Sequence, residues 1–190
     1  TVGLIAKRMF PIGYSLTVHG PDEFYDAPGY RLSQKIAGAD FVCCIGYYAR
    51  SQLMKLSPPD QWDKFEISPL GVDLERFDPA PFDDHPDTFE IICVGRLVPA
   101  KGQHVLVKAI ARLAERGRSV RLRLVGDGPD RESLEHLARD LGVADHVTFE
   151  GAVNQDRIRD LYRQAHAFAL ASFAEGIPVV LMEAMSMEIP

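Results

Sequence analysis

Short β-branched runs alternate with single amphipathic stretches along most of this chain, and that alternation restricts the fold more than any other feature. Strand-like runs fall at Tyr14 to His19, Phe41 to Ile45 and Phe65 to Ile67, then at Phe89 to Val94, Val120 to Val125, Val147 to Phe149 and Ala167 to Ala171. Helical patterns lie between them, at Tyr30 to Ala37, Tyr48 to Leu56, Gln103 to Arg116, Pro129 to Leu141 and Gln155 to Ala165. Asn154 precedes the last as an N-cap, and a Gly-, Pro- and Asp-rich loop is expected after His19 through Gly29. Strands joined by one helix each pair in parallel through right-handed crossovers, so the chain reads as α/β with Rossmann-like sheets.

Finer expectations follow from the same patterns. The 103–116 helix should bury Val105, Leu106, Ala109, Ile110 and Leu113, and the 129–141 helix should stack Leu134, Leu137 and Leu141. Val120, Leu122 and Leu124 alternate with Arg121 and Arg123, so one face of that strand should be less buried. The run Asp78 to Asp87 is rich in proline and aspartate, has no period, and reads as a linker. The expected division is residues 1–77, a linker at 78–88, and residues 89–190.

Composition narrows the function classes. With 190 residues, 46% of them hydrophobic, the chain can bury one large core or two small ones. The formal charge is 21 − 27 = −6 with no basic tract, which argues against nucleic acid as a partner. Cys43, Cys44 and Cys93 are odd in number and lie in apolar runs, so they read as reduced, buried thiols of a cytoplasmic protein. They carry no metal-ligand spacing, and no metal site is expected. No apolar run approaches a membrane span, and no signal peptide is recognisable.

Chemistry gathers at strand ends. Arg96, Asp127 and Glu175 each follow a predicted strand, and ligands of parallel sheets bind at that carboxyl edge. Arg96 and Lys101 flank a short loop with Gly95 and Gly102, where a guanidinium fork and a lysine point charge suit a diphosphate. The segment Glu175-Gly176-Ile177-Pro178-Val179-Val180-Leu181-Met182-Glu183 places seven residues between two carboxylates across a helix start. Pro178 is pre-set for the first helical position, and the amides around it suit phosphate or sugar oxygens. Lys7 and Arg8 receive no role.

Five motifs in this order resemble the retaining glycosyltransferases of family 4, the glycosyl transferases group 1. They are Thr17-Val18-His19-Gly20, Pro69-Leu70-Gly71-Val72-Asp73, Val94-Gly95-Arg96-Leu97 with Lys101-Gly102, Val125-Gly126-Asp127-Gly128-Pro129, and the 175–183 segment. The likeness covers roughly residues 14 to 190, and Thr17 to Phe24 with Phe41 to Met54 is most similar to bacterial exopolysaccharide members of colanic-acid type. Thr1 is not a start and Pro190 follows closely on a helix, so the chain is read as an internal piece of a longer protein. The resemblance then puts part of the N-terminal domain, with its acceptor-side loop, and the last strand and returning helices outside it.

The resemblance implies a GT-B fold of two Rossmann-like domains, the second binding a nucleotide diphosphate-sugar, UDP-linked by preference over GDP-linked. It implies transfer with retention to a saccharide or lipid-linked acceptor, without a metal or other cofactor, at the cytoplasmic side and with membrane contact only through absent segments. His19 and Glu175 are the implied catalytic pair, Glu175 holding hydroxyls of the donor sugar. Arg96, Lys101, Gly95, Gly176, Ile177, Pro178 and Val179 are implied at the sugar and diphosphate, Glu183 at the ribose, and Asp127 with Gly128 at the rim around the base. Asp73 is read as a turn cap.

Other readings stay open on the residues. One is a nucleotide-binding module without turnover. Another is a related enzyme such as a sugar-nucleotide epimerase or a phosphorylase, which would need a pyridoxal lysine at Lys101 or Lys108. Gly126-Asp127-Gly128 imitates a dinucleotide fingerprint, but Arg131 stands where its third glycine should be, and only Glu150 approximates the ribose acid. NAD is therefore rejected.

Overall fold

In the computed structural model, which describes residues 2–79, 81 and 86–190, every strand ladder is parallel. The chain divides into two compact units, Thr1–Gly71 with Glu175–Pro178, and Val72–Ala174 with Val179–Pro190.

The first unit holds a three-stranded sheet in the order β1 (Ser15–Val18), β2 (Phe41–Cys44), β3 (Phe65–Ile67). Helices α1 (Val2–Met9), α2 (Pro21–Tyr25), α3 (Leu32–Gly38) and α4 (Tyr47–Lys55) complete it. Val42 and Cys44 of the central strand are fully buried against Val18, Ile36 and Leu53, which fixes which face of each helix turns inward. Two helices depart from the sequence reading. α1 lies in a segment given no element, and α2 occupies what was expected to be loop. Pro21 sits in its first turn, and the Glu23 carboxylate accepts a hydrogen bond from the Gly20 N–H at 3.1 Å, so a five-residue helix is capped at its start.

The second unit holds β4 (Phe89–Val94), α5 (Gln103–Glu115), β5 (Val120–Val125), α6 (Arg131–Asp140), β6 (Val147–Gly151), α7 (Gln155–Arg163), β7 (Ala167–Phe168) and α8 (Val179–Ser186). Its strand order is β6-β5-β4-β7. The chain steps outward from β4 to β6, then returns to pair β7 on the other side of β4. Such a reversal opens a crevice at the carboxyl edge. β7 is shorter than the expected Ala167 to Ala171, although the Ala169 N–H still reaches the Ile92 carbonyl at 2.9 Å.

Helix faces are partly re-assigned. α5 buries Gln103, Val107, Ile110 and Ala111, while Val105 and Ala109, both expected inside, are exposed. Apolar residues cover more than half of this helix, flanking the polar stripe of His104, Lys108, Arg112 and Glu115 on both sides, so periodicity alone could not choose which flank turns inward. α6 starts at Arg131 rather than Pro129, because the Asp130 N–H is held by the Leu97 carbonyl at 3.0 Å, and Leu141 beyond its end is exposed. The Arg face of β5 is the less buried one, yet Arg123 lies low on it between Glu150 at 2.8 Å and Glu90 at 3.4 Å.

The boundary between the units falls after Gly71, ahead of the expected 77/78 position. Phe77 explains the difference, since its ring is buried beside Tyr162 in the second unit's core. Of the expected linker, residues 80 and 82–85 lie outside the described residues. Asp73 caps its turn as anticipated, accepting from the Glu75 N–H at 3.2 Å.

Candidate functional site

The loops after β4 and β5 close on each other through backbone contacts. The Gly95 N–H donates to the Val125 carbonyl and the Leu97 N–H to the Asp127 carbonyl, each at 2.9 Å. A methyl group on Gly126, which has φ of 131°, would stand 2.1 Å from the Gly95 carbonyl oxygen. One on Gly128 would stand 2.3 Å from that of Leu97. These glycines therefore let two strand-end loops touch.

Above this seam lies a cleft of about 390 Å³, lined at the strand ends by Gly95, Arg96 and Asp127, by the 152–155 turn, and by Glu183 from α8. Arg96 is exposed there, on a backbone steadied by the buried Gln103, whose amide donates to the Arg96 carbonyl at 2.8 Å. Sequence reading missed Gln103, because nothing in a lone glutamine at a helix start signals a buried tether. Asp127 accepts from the Gly128 N–H at 2.8 Å, which orients its carboxylate at the cleft rim. Asn154 lines the same wall and caps α7, accepting from the Arg157 N–H at 2.9 Å.

Glu183 is the most enclosed acid of the cleft, 9% exposed, and the Tyr162 hydroxyl donates to its Oε2 at 3.0 Å. Burial first, and then the neighbouring Glu183 charge, push the Tyr162 phenol well above its ordinary range, so it remains a donor. The stem of Lys101 runs beside Gly95, 3.9 Å from where a methyl there would stand. Burial drives the Cys93 thiol up to about 12, and the Lys101 charge opposes that rise.

The first unit carries a smaller pocket of about 120 Å³, lined by His19, Gly20, Phe24, Tyr48, Glu175 and Ile177 among others. His19 is exposed at the end of β1, and Glu23 tethers the turn behind it. Gly176 lines this pocket too. A methyl group there would stand 2.4 Å from the His19 carbonyl oxygen, so its bareness seats the Glu175 turn directly on the His19 turn.

The structure thus gathers Gly95, Arg96, Asp127 and Glu183 in one cleft, and His19, Glu175, Gly176 and Ile177 in another pocket. Lys101, Gly128, Pro178 and Val179 line neither. Gly128 packs its bare Cα against the Leu97 backbone. α8 begins at Val179, one residue later than expected, with Pro178 just ahead of it. Arg131 lies over the Phe149 ring and pairs with Glu135 at 3.0 Å, while Glu150 is engaged by Arg123 and Arg157. Among the described residues, no three His, Cys, Asp or Glu side chains gather as a metal site would require. No helix among them is long and apolar enough to cross a membrane.

Comparison with known proteins places these features in a family setting. A model of the glycosyl transferases group 1 family matches residues 76–190. WcaL of Escherichia coli K12, a glycosyltransferase named for colanic acid biosynthesis, is 36% identical over 196 residues, covering 100% of this chain and 47% of that protein. A GDP-mannose-dependent alpha-(1-6)-phosphatidylinositol monomannoside mannosyltransferase of Mycobacterium tuberculosis H37Rv is 34% identical over 171 residues, covering 80% of this chain and 43% of its own. The chain spans about half the length of the curated relatives it matches. The fold is that of Anabaena HepE, solved in complex with UDP and glucose, with a TM-score of 0.82 at 22% identity, over 98% of this chain and 54% of that one.

Proposed function

The chain belongs to the glycosyl transferases group 1 family, and from that premise we propose that its parent protein transfers a hexose from a nucleoside diphosphate sugar to a saccharide or lipid-linked acceptor, keeping the anomeric configuration. The observation that carries this reading is the cleft at the second unit's strand reversal, where a cation, Arg96, and a buried carboxylate, Glu183, line one space of about 390 Å³. A nucleoside diphosphate needs both, a positive group for its phosphates and an acceptor for its ribose hydroxyls.

Arg96 and Lys101 neutralise the departing diphosphate, which is where negative charge grows as the glycosidic bond breaks. His19 and Glu175 take the sugar-facing roles. The acceptor oxygen attacks the anomeric carbon from the face the diphosphate leaves and passes its proton to the departing phosphate oxygen as the old C–O bond breaks, so no protein carboxylate is needed as nucleophile. No metal has a role in this scheme. The acceptor class follows the relatives, whose names include colanic acid, teichuronic acid and phosphatidylinositol mannoside synthesis, so cell-surface polysaccharide or glycolipid made at the cytoplasmic side is the proposed setting. For the donor, UDP is preferred, with GDP as the alternative that the mannosyltransferase relatives support.

Thermal unfolding with UDP, GDP, ADP and NAD, in excess chelator, tests the reading. A ligand at a hundred times its Kd adds about 2.7 kcal/mol, which raises the melting temperature of a chain this size by about 5–10 °C. Stabilisation by a uridine or guanosine diphosphate but not by NAD is expected. A flat response to every diphosphate, in this chain and in its full-length parent, overturns it. Turnover by the parent that vanishes with chelator overturns the metal-free scheme alone.

A further inference from the structure

We infer that Tyr162 is the positioning residue that makes the second unit's cleft select a ribonucleotide, its phenol hydroxyl holding Glu183 so that a single carboxylate oxygen is offered to the sugar hydroxyls. The inference rests on the nucleoside diphosphate reading above.

Tyr162 is fully buried, twenty-one positions before Glu183, and its ring is wedged between Phe77 and Phe168 with centroid separations of 6.4 and 6.3 Å. With the ring packed against these two, the hydroxyl lies against α8. There it has two acceptors in reach, Glu183 Oε2 at 3.0 Å and the Val180 carbonyl at 3.2 Å. It has one proton to give, and an ionised acceptor holds such a proton more strongly than a neutral one. Tyr162 is protonated through the neutral range as an ordinary phenol is, and burial pushes it further from ionising.

The consequence falls on Glu183. A carboxylate enclosed in a wall of Val94, Val125 and Ile158 needs a donor to be kept there, and Tyr162 supplies it. Oε2 is thereby engaged inside the protein, and among the described residues no group is hydrogen-bonded to Oε1. Oε1 can be satisfied only by a donor arriving in the cleft. The other acid of the wall, Asp127, already accepts from Gly128 and lies exposed at the rim. A ligand hydroxyl is therefore read at one oxygen whose place Tyr162 sets, and a deoxy-sugar leaves that oxygen buried and unpaired.

Calorimetric titration with UDP and GDP, and with the 2′-deoxy and 3′-deoxy forms of whichever binds, decides it. The unmodified protein should prefer the ribose form over at least one deoxy form by about tenfold or more, the scale of a hydrogen bond to a charged group. Tyr162→Phe should weaken the ribose form by about five- to tenfold and leave that deoxy form nearly unchanged, so that the preference shrinks. Glu183→Asp, which draws the carboxylate back by one methylene, should erase the same preference and serves if Tyr162→Phe fails to fold. A folded Tyr162→Phe protein with the full preference, or with equal weakening of both forms, overturns the inference and leaves the donor-site reading intact. Retention of the preference in Glu183→Asp overturns it too. Absence of binding by every diphosphate to the unmodified chain and parent overturns both.

Discussion

Arg96 follows β4 with an exposed guanidinium on a loop whose backbone is held from both sides, by Asp127 through Leu97 and by Gln103 through its own carbonyl. A cation so mounted costs little to orient when a phosphate arrives. Arg96→Ala should weaken nucleoside diphosphate binding by about 1.5–3 kcal/mol, with no loss of melting temperature in the unliganded protein. Unchanged affinity in a titration removes Arg96 from the site. Glu175 sits by contrast in the pocket with His19, so Glu175→Ala should cut turnover of the full-length parent far more than it weakens binding of the bare diphosphate. Equal losses would mean that its partner is not the sugar. Gly176 tests the seat under that acid. Its replacement by alanine pushes a methyl group onto the His19 carbonyl, and overpacking of this kind costs about 1–3 kcal/mol. A melting temperature unmoved by Gly176→Ala would show that the turn yields freely.

At the scale of elements, one ion-pair cluster ties β4, β5, β6 and the start of α7 together. Arg123, 19% exposed, lies between Glu90 and Glu150, which are 16% and 15% exposed, and Glu150 also meets Arg157 at 3.6 Å. Arg123→Ala leaves two poorly solvated carboxylates without their shared cation and should destabilise the second unit by about 2–4 kcal/mol in denaturant unfolding. Arg121→Ala, whose side chain is 55% exposed, should cost under about 1 kcal/mol. Similar effects of the two would show that burial does not govern this cluster. The sequence pattern carried the strands and the crossovers well, because β-branched runs and helix periods report burial directly. It also carried the Asn154 and Asp73 caps, which act within three residues. It did not carry α2, whose signal of proline and glutamate was short enough to pass as loop, nor the inner stripe of α5, where apolar residues flank the polar face on both sides. Of the candidate site, the places of Arg96 and Asp127 at the carboxyl edge were legible by position, whereas Lys101 lines neither space. The pairing of Tyr162 with Glu183 and the tether from Gln103 were not legible, because both depend on which side chains the packed core brings together.

Each unit keeps one cysteine deep in its own core, Cys44 in the first and Cys93 in the second, and this gives the whole molecule a built-in pH response. Burial pushes the two thiols from the ordinary 9.0 up to about 11 and about 12. The folded protein therefore holds both protons at pH values where the unfolded chain has begun to lose them. Stability from this source is fully present below pH 9 and is lost as the pH rises towards 11 and 12, because only the unfolded state gains by ionising. Tyr162, also pushed upward, acts in the same direction from a higher starting point. In reductant, the melting temperature should fall between pH 8 and pH 11, and the fall should be shallower in a Cys44→Ala, Cys93→Ala double variant, the difference between the two curves being the contribution of the thiols. Curves that run parallel across this range would show that the buried thiols do not resist ionisation. The same residues then serve as separate reporters of the two units. At pH 8, an alkylating reagent should reach Cys44 or Cys93 only when the surrounding core opens. Labelling of both at one rate, at moderate denaturant, would mean that the units open together, whereas Cys44 reacting well ahead of Cys93 would mean that the three-stranded unit opens alone.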